Sequence, residues 1–399
     1  MGATRRLARA HEAKRSGKHM PFYLDNAATS YPKPASVCEA VQHAMTEIGA
    51  SPGRASHRRA RDASAIVFAA RKNVADFLGI HDRERVIFTK NATESINVVL
   101  KGWLRPGDRV LISGMEHNAV VRPLNRLRHT GVTVERIPCS PRGRIDCGAL
   151  KHLLNPPPRL VALVHASNVN GALQPVEEAA ELCAEVGVPL LLDAAQTAGL
   201  RPIFAKDWNL GMLACSGHKA LLGPPGLGIL YIRRNLDVLP LMEGGTGTNS
   251  EEEVQPEYCP DRFESGTVNL PAIAGLAAGI DFIRAAGMHS ILERELSLAS
   301  MLEEEMAGFS GIRLFRPDVR GTGVVSFTVE GINPGDVGDL LDRAFDIAVR
   351  TGLHCAPLAH ETIGSLPEGT VRVSVGYSTT AADVEYFLKS LRSMLSRRR

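Results

Sequence analysis

The sequence predicts an α/β fold in two units: a large one built on a mainly parallel sheet covered by helices, then a smaller α+β unit. Three observations predict it. The chain has 399 residues, 44% of them hydrophobic, which suffices for a large core and favours two domains. From Val86 onward short apolar runs alternate with helical stretches, the order that yields parallel strands joined by crossover helices. After about Asn269 that alternation stops, and two successive helical stretches precede a set of short strands.

The elements follow in order. Residues 1–20 carry Arg5, Arg6, Arg9, Lys14, Arg15 and Lys18, with no apolar stretch after them to serve as a signal-peptide core. They are expected to form a disordered basic arm. Residues 85–89 make a short apolar run leading into 91–103, where Ile96, Val99, Leu100 and Trp103 recur at helical spacing. Strands are expected over 109–113, 132–137, 160–165 and 189–193, with a helix over 177–186. Two more, over 213–215 and 228–232, flank the Gly/Pro-rich turn Gly223-Pro224-Pro225-Gly226. The large unit is drawn over 21–270 and the C-terminal one over 271–399. The latter holds helices over 271–286 and 289–309, strands around 312–315, 323–329, 347–350 and 371–375, and helices near 335–345 and 380–395.

Composition narrows the function. A formal net charge of +3 gives no reason to expect nucleic acid or an acidic membrane as partner. No apolar run approaches the roughly 20 residues that span a bilayer. The seven cysteines (Cys38, Cys139, Cys147, Cys183, Cys215, Cys259, Cys355) are scattered, odd in number and never in CxxC spacing, so no metal site is expected. Most of them read as small hydrophobes of a reducing cytoplasm, and any special one must be picked out by its own neighbourhood.

Polar residues gather after the predicted strands. Lys219 follows one of them in the turn Ser216-Gly217-His218-Lys219; alone it reads as an ordinary surface lysine, but Ser216 and His218 add hydrogen-bond donors and Gly217 allows close approach. Asp193 ends a strand 26 residues earlier, and alone reads equally as a strand-end cap. Gln196 follows it. Asn91-Ala92-Thr93-Glu94 opens a helix, where backbone N–H groups and the Thr93 hydroxyl form an anion site. His117 follows another strand, and alone would more often be structural. An amine, an acid, a phosphate cradle and a ring support are what pyridoxal phosphate asks of a protein.

With these residues in place, the chain resembles the class V, fold-type I pyridoxal-phosphate enzymes, and among them is similar to the cysteine desulfurases and selenocysteine lyases. The resemblance runs from Tyr23-Leu24-Asp25-Asn26-Ala27-Ala28-Thr29 to about Ser390. Further landmarks are Glu116-His117, Ser167-Asn168-Val169, Asp193-Ala194-Ala195-Gln196, Arg262-Phe263-Glu264-Ser265-Gly266-Thr267 and Arg350-Thr351-Gly352-Leu353-His354-Cys355-Ala356. It implies a large domain with a seven-stranded type of sheet. It gives Lys219 the Schiff base, Asp193 the ring nitrogen, Gln196 the phenolic oxygen, and His117 the ring face. Ala92, Thr93, Ser216 and His218 take the phosphate. Thr267 would reach the phosphate of a partner subunit, which implies a homodimer. Asn168 and Arg372, with Arg350 and Arg54, form the substrate group, Arg372 holding the substrate carboxylate in a bidentate pair.

Cys355 stands where the family carries its sulfur-accepting thiol, and Arg350, His354 and His360 are expected to favour its thiolate. The short stretch from Cys355 to Arg372 resembles the group II (Suf-type) enzymes, with a confined thiol that delivers sulfur slowly without an acceptor. The chain departs from that pattern at Leu353, where a His is frequent, and through 356–369. The expected reaction takes L-cysteine to L-alanine and leaves sulfur on Cys355 as a persulfide, for a protein or small-thiol acceptor. Selenocysteine lyase action on L-selenocysteine, a transaminase or epimerase, and a non-catalytic binding scaffold stand as the other readings at this stage.

Overall fold

The computed structural model describes residues 22–53, 56–248 and 250–396, so the basic arm and Arg54 lie outside the described residues. The first strand is β1 (Phe22–Tyr23). The large sheet contains β2 (Val86–Thr89), β3 (Arg109–Ser113), β4 (Thr133–Ile137), β5 (Leu160–Val164), β6 (Leu190–Asp193), β7 (Met212–Ser216) and β8 (Gly228–Ile232), in the spatial order β2-β8-β7-β6-β5-β3-β4. β8 runs antiparallel to both neighbours, and every other pairing is parallel. The C-terminal ends of β2, β3, β5, β6 and β7 therefore share one edge, where an α/β sheet presents its ligand crevice.

Strand periodicity explains the two cores. Along β5, Val161 and Leu163 enter one apolar cluster while Leu160 and Ala162 enter another. Along β6, Leu190 and Leu192 oppose Leu191 in the same way. Successive side chains point to opposite faces, so a sheet buried on both faces needs an unbroken apolar run, with each fully buried Leu contributing roughly 2 kcal/mol. Cys183 and Cys215 belong to this core as small hydrophobes.

The C-terminal unit carries an antiparallel sheet of β9 (Ile312–Leu314), β10 (Val324–Val329), β12 (Arg350–Gly352) and β13 (Thr370–Ser374), ordered β12-β13-β10-β9. The strand expected over 347–350 is in fact divided. β11 (Ile347–Ala348) pairs in parallel with β1, and β12 pairs with β13. Fully buried Leu24 packs in the core of this unit, and Phe22 stacks on Tyr386 with ring centroids 4.0 Å apart. The segment at 22–25, drawn with the large unit, thus packs on the C-terminal one.

Two further elements set the site. The helix Leu270–Ala286 puts Ile273, Leu276 and Ile280 into the large core and Ile283 against Leu222 and Tyr377, bridging the units. Within the 356–369 stretch a short helix, Pro357–Ile363, starts on a proline suited to a first helical position and buries Ala359 and Ile363 against Met115 and Phe315. Cys355 sits just before it.

Candidate active site

The site grows from the shared strand edge. β6 ends at Asp193, whose side chain is nearly buried and accepts a hydrogen bond from the Ala195 N–H at 2.9 Å. Burial raises its pKa, while the Ala195 bond and the charge of Lys219 pull it back. β7 ends at Ser216, and the loop after it is closed by Gly217 N–H to Leu227 O at 2.9 Å and Gly223 N–H to Gly217 O at 2.8 Å. That closure fixes Lys219. Burial lowers the Lys219 pKa to about 8; Asp193 opposes this, Arg372 and Arg350 add to it, and Cys355 opposes it. A carboxylate, two guanidinium groups and the thiol thus lie within electrostatic reach of the buried amine. Gln196 donates from Nε2 to Ala27 O at 3.0 Å and lines one cavity with Lys219, Asn26 and Ala27.

Beside them lies the helix start expected to hold an anion. The helix Ala92–Trp103 is capped by Asn91, whose Oδ1 accepts from the Glu94 N–H at 2.9 Å. Ala92 N–H donates to Ser216 Oγ at 3.3 Å, which brings Ala92 and Ser216 together, with Thr93 exposed in the first turn. Gly228 makes this approach possible, since a Cβ there would stand 2.4 Å from the Asn91 carbonyl carbon. The His218 carbonyl accepts from Lys33 Nζ at 2.6 Å and from the Ser30 N–H at 3.2 Å. Its ring Nδ1 is buried with no partner among the described residues. Burial, then Lys219 and Lys33, lower its pKa to about 4.

His117 caps the helix Asn118–Arg128, its Nδ1 accepting from the Ala119 N–H at 3.0 Å. Burial lowers its pKa to about 4, helped by the charges of Lys219, Arg350, Arg122 and Arg372. At neutral pH the ring is therefore neutral with its proton on Nε2, since Nδ1 is the acceptor. Its neighbour Glu116 was quoted in the sequence only as a landmark. It is fully buried, with Oε1 accepting from Ser113 Oγ at 2.6 Å and the Val164 N–H at 2.9 Å and Oε2 unpartnered among the described residues. Burial raises its pKa to about 8 against the pull of those bonds.

Across the crevice, Cys355 is exposed on a tight turn in which His354 and Cys355 both take positive φ, 47° and 58°. Arg350 Nη2 approaches its sulfur at 3.5 Å. The two imidazoles turn elsewhere: His354 Nε2 meets Thr370 Oγ1 at 2.9 Å and His360 Nδ1 meets Ser365 Oγ at 2.7 Å. Burial lowers their pKa values to about 2 and about 4, so both are neutral near pH 7. Arg372 is 1% exposed; Nη2 donates to Asp25 Oδ1 at 2.6 Å, Nη1 to the Asn168 carbonyl at 2.9 Å, and Nε is unpartnered among the described residues. Arg350 pairs with Arg372 across β12 and β13, so the two cations stand side by side. Asn168 Nδ2 donates one hydrogen bond to the His354 carbonyl at 2.7 Å. Asp25, the counter-ion of Arg372, was missed as a functional residue, although it stands in the quoted 23–29 motif. Thr267 is exposed and lies outside the Lys219 cavity, in a groove with Ser51, Phe68, Arg71 and Glu264.

The class-V aminotransferase family model matches residues 22–387. A probable cysteine desulfurase of Methanothermobacter thermautotrophicus is 33% identical over 92% of this chain and 93% of its own length. A cysteine desulfurase of Haloferax volcanii is 34% identical over 86% of this chain and 82% of its own. Among solved structures, the apo cysteine desulfurase of Thermococcus onnurineus superposes with a TM-score of 0.87 at 34% identity, covering 94% of this chain and 95% of that one. The S-sulfonic acid form of cysteine desulfurase CsdA of Escherichia coli gives 0.85 at 30% identity, with the same coverage of both chains.

Proposed function

The chain belongs to the class-V aminotransferase family, and from that premise we propose that it is a pyridoxal-phosphate-dependent cysteine desulfurase of the group II kind. The observation that carries the reading is the exposed Cys355 thiol, in contact with Arg350 and within the electrostatic reach of Lys219.

The donor set suits the cofactor. Lys219 would hold the aldehyde, Asp193 the ring nitrogen, Gln196 the phenolic oxygen and His117 the ring face. Thr93, Ser216, the Ala92 N–H and His218 Nδ1, unpartnered among the described residues, suit a phosphate. When bound, the cofactor supplies an electron sink for the substrate α-carbon.

This chain's residues do the rest. Arg372 and Arg350 draw the L-cysteine carboxylate. Lys219, its pKa lowered to about 8, has a far larger neutral fraction near pH 7 than an ordinary lysine, and that neutral amine takes the α-proton. Cys355, as thiolate, attacks the substrate sulfur: an S–S bond forms and the substrate Cβ–S bond breaks, its electron pair ending in a C–H bond at Cβ. L-Cysteine and the enzyme thiol thus give L-alanine and an enzyme persulfide, with no external oxidant. The neutral His117 carries its proton on Nε2, suited to donate within the site. A protein or small-thiol acceptor then collects the sulfur.

The test pairs a spectrum with a product assay. The purified protein is expected to absorb in the visible, to lose that band with borohydride, and to form alanine and sulfide from L-cysteine. Cys355→Ala is expected to keep the band and lose roughly 100-fold or more in rate. Undiminished turnover in Cys355→Ala would remove the persulfide step, and a keto-acid product would restore the transaminase reading.

A further inference from the structure

We propose that Glu264 is a positioning residue: joined to Arg71 and to the free edge of β2, it sets Thr267 for the phosphate of the cofactor. The proposal rests on the reading of Thr267 as a contact to the phosphate held by a second copy of the chain.

β2 is the outermost strand on one side of the large sheet and pairs only with β8. An open edge leaves backbone donors and acceptors that something else must satisfy. Here an ion pair takes the place of the missing strand. Arg71 Nη1 donates to the Val86 carbonyl, and Glu264 Oε1 accepts from the Phe88 N–H at 2.6 Å. The two side chains close on each other as a fork, Nη1 to Oε1 and Nη2 to Oε2 both at 2.8 Å. The Arg71 guanidinium also lies 4.7 Å from the centroid of the Phe88 ring. Their side chains are 9% and 7% exposed, so salt and water screen little of the attraction.

Which partner holds the other follows from what is already fixed. β2 is held by β8, and Arg71 sits on the helix Arg58–Phe77, whose Ala70, Val74 and Ala75 lie in the large core. Glu264 lies between Ile232 and Leu270, a stretch with no helix or strand among the described residues. The sheet edge therefore anchors the irregular segment. From Glu264 the chain reaches Thr267 in three residues, a span of at most about 11 Å. Along it Ser265 Oγ accepts from Gln255 Nε2 at 3.0 Å, and Gly266, at φ 89°, donates its N–H to the Gly245 carbonyl at 2.9 Å. Thr267 is exposed and lines the same groove as Arg71 and Glu264. It is thus held between two anchors, the helix that begins at Leu270 and the Glu264 carboxylate. An amide in place of that carboxylate cannot accept at both positions. Its NH2 group would face either the guanidinium or the Phe88 N–H.

The experiment is a double-mutant cycle on the full chain, with pyridoxal phosphate titrated into the apoprotein and its affinity read from the visible band. Thr267→Ala removes the phosphate contact, while Glu264→Gln keeps the size of the side chain and breaks the fork. Each alone is expected to weaken cofactor binding roughly 10-fold, as for one hydrogen bond to a charged group. Together they are expected to stay within about 2-fold of Thr267→Ala alone, because Glu264 acts through Thr267. A loss of roughly 100-fold in the double variant, the product of two independent effects, would overturn the proposal and leave Arg71 and Glu264 a structural pair. So would unchanged affinity in Glu264→Gln, or a weakening that accompanies a fall to monomer in sedimentation. Unchanged affinity in Thr267→Ala would remove the Thr267 reading, and the proposal with it. Should Glu264→Gln fail to fold, Glu264→Asp, which keeps the charge but shortens the reach, takes its place in the cycle. Failure of the cofactor reading is separately visible as a wild type that develops no visible band.

Discussion

Glu116 precedes His117 in the chain and is fully buried. Its carboxyl is buried beside His117, and burial raises its pKa from 4.5 to about 8. Because the folded value lies above the ordinary one, the associated stability is full below about pH 4.5 and is lost as pH rises through about 8. Buried Glu295, also raised from 4.5 to about 8 by burial, carries the same sign. The buried histidines, lowered from 6.5, act with the opposite sign below about pH 6.5, so the difference isolates Glu116: we predict that the melting temperature of Glu116→Gln gains progressively on that of the wild type as pH rises from about 5 to about 9. Thermal melts across the range check it; an unchanged difference would mean that Glu116 ionises freely. Residue types at strand ends carried Lys219, Asp193, His117 and Cys355, because each has a chemistry that its neighbours in sequence support. Asp25 and Glu116 were out of reach. Their partners Arg372 and Val164 are distant in the chain, and pairing over such a separation leaves no local pattern.

At the scale of elements, the helix Ala92–Trp103 is pressed into place by two strands. Its start meets Ser216 at the end of β7 and Gly228 at the beginning of β8. An added Cβ at Gly228 would lie 2.4 Å from Asn91 backbone, which cannot yield as a flexible side chain would. Gly228→Ala is expected to cost about 2 kcal/mol and to weaken cofactor binding roughly 10-fold by shifting the Ala92 N–H. Thermal melts and cofactor titration measure the two effects; unchanged affinity would detach the helix start from the phosphate site. The helix itself was predicted correctly from Ile96, Val99, Leu100 and Trp103, since an amphipathic period of 3.6 is a local property. The run over 347–350 misled because its two halves join different sheets, and a strand's partner is not written in its own residues.

At the scale of the molecule, the groove holding Thr267 and the exposed apolar side chains of Leu239, Leu241, Met242, Val254 and Tyr258 support a second copy of the chain as partner. The native mass is expected to be twice 43.0 kDa, with Met242→Asp shifting the protein toward monomer and loosening the cofactor. Sedimentation at several concentrations decides this; a fully active monomer would refute the shared site. Among the described residues no single helix is long and apolar enough to cross a membrane. The sequence alone determined the alternation of strands and helices, because periodicity is local, and it offered the amine, acid and thiol on which the proposed chemistry rests, because residue type is local too. Only the tertiary structure decided that Asp25 pairs with Arg372, that His354 and His360 are buried and neutral, and that Asn168 Nδ2 donates to the His354 carbonyl. Burial and long-range hydrogen bonds set those states, and both arise only when distant segments pack.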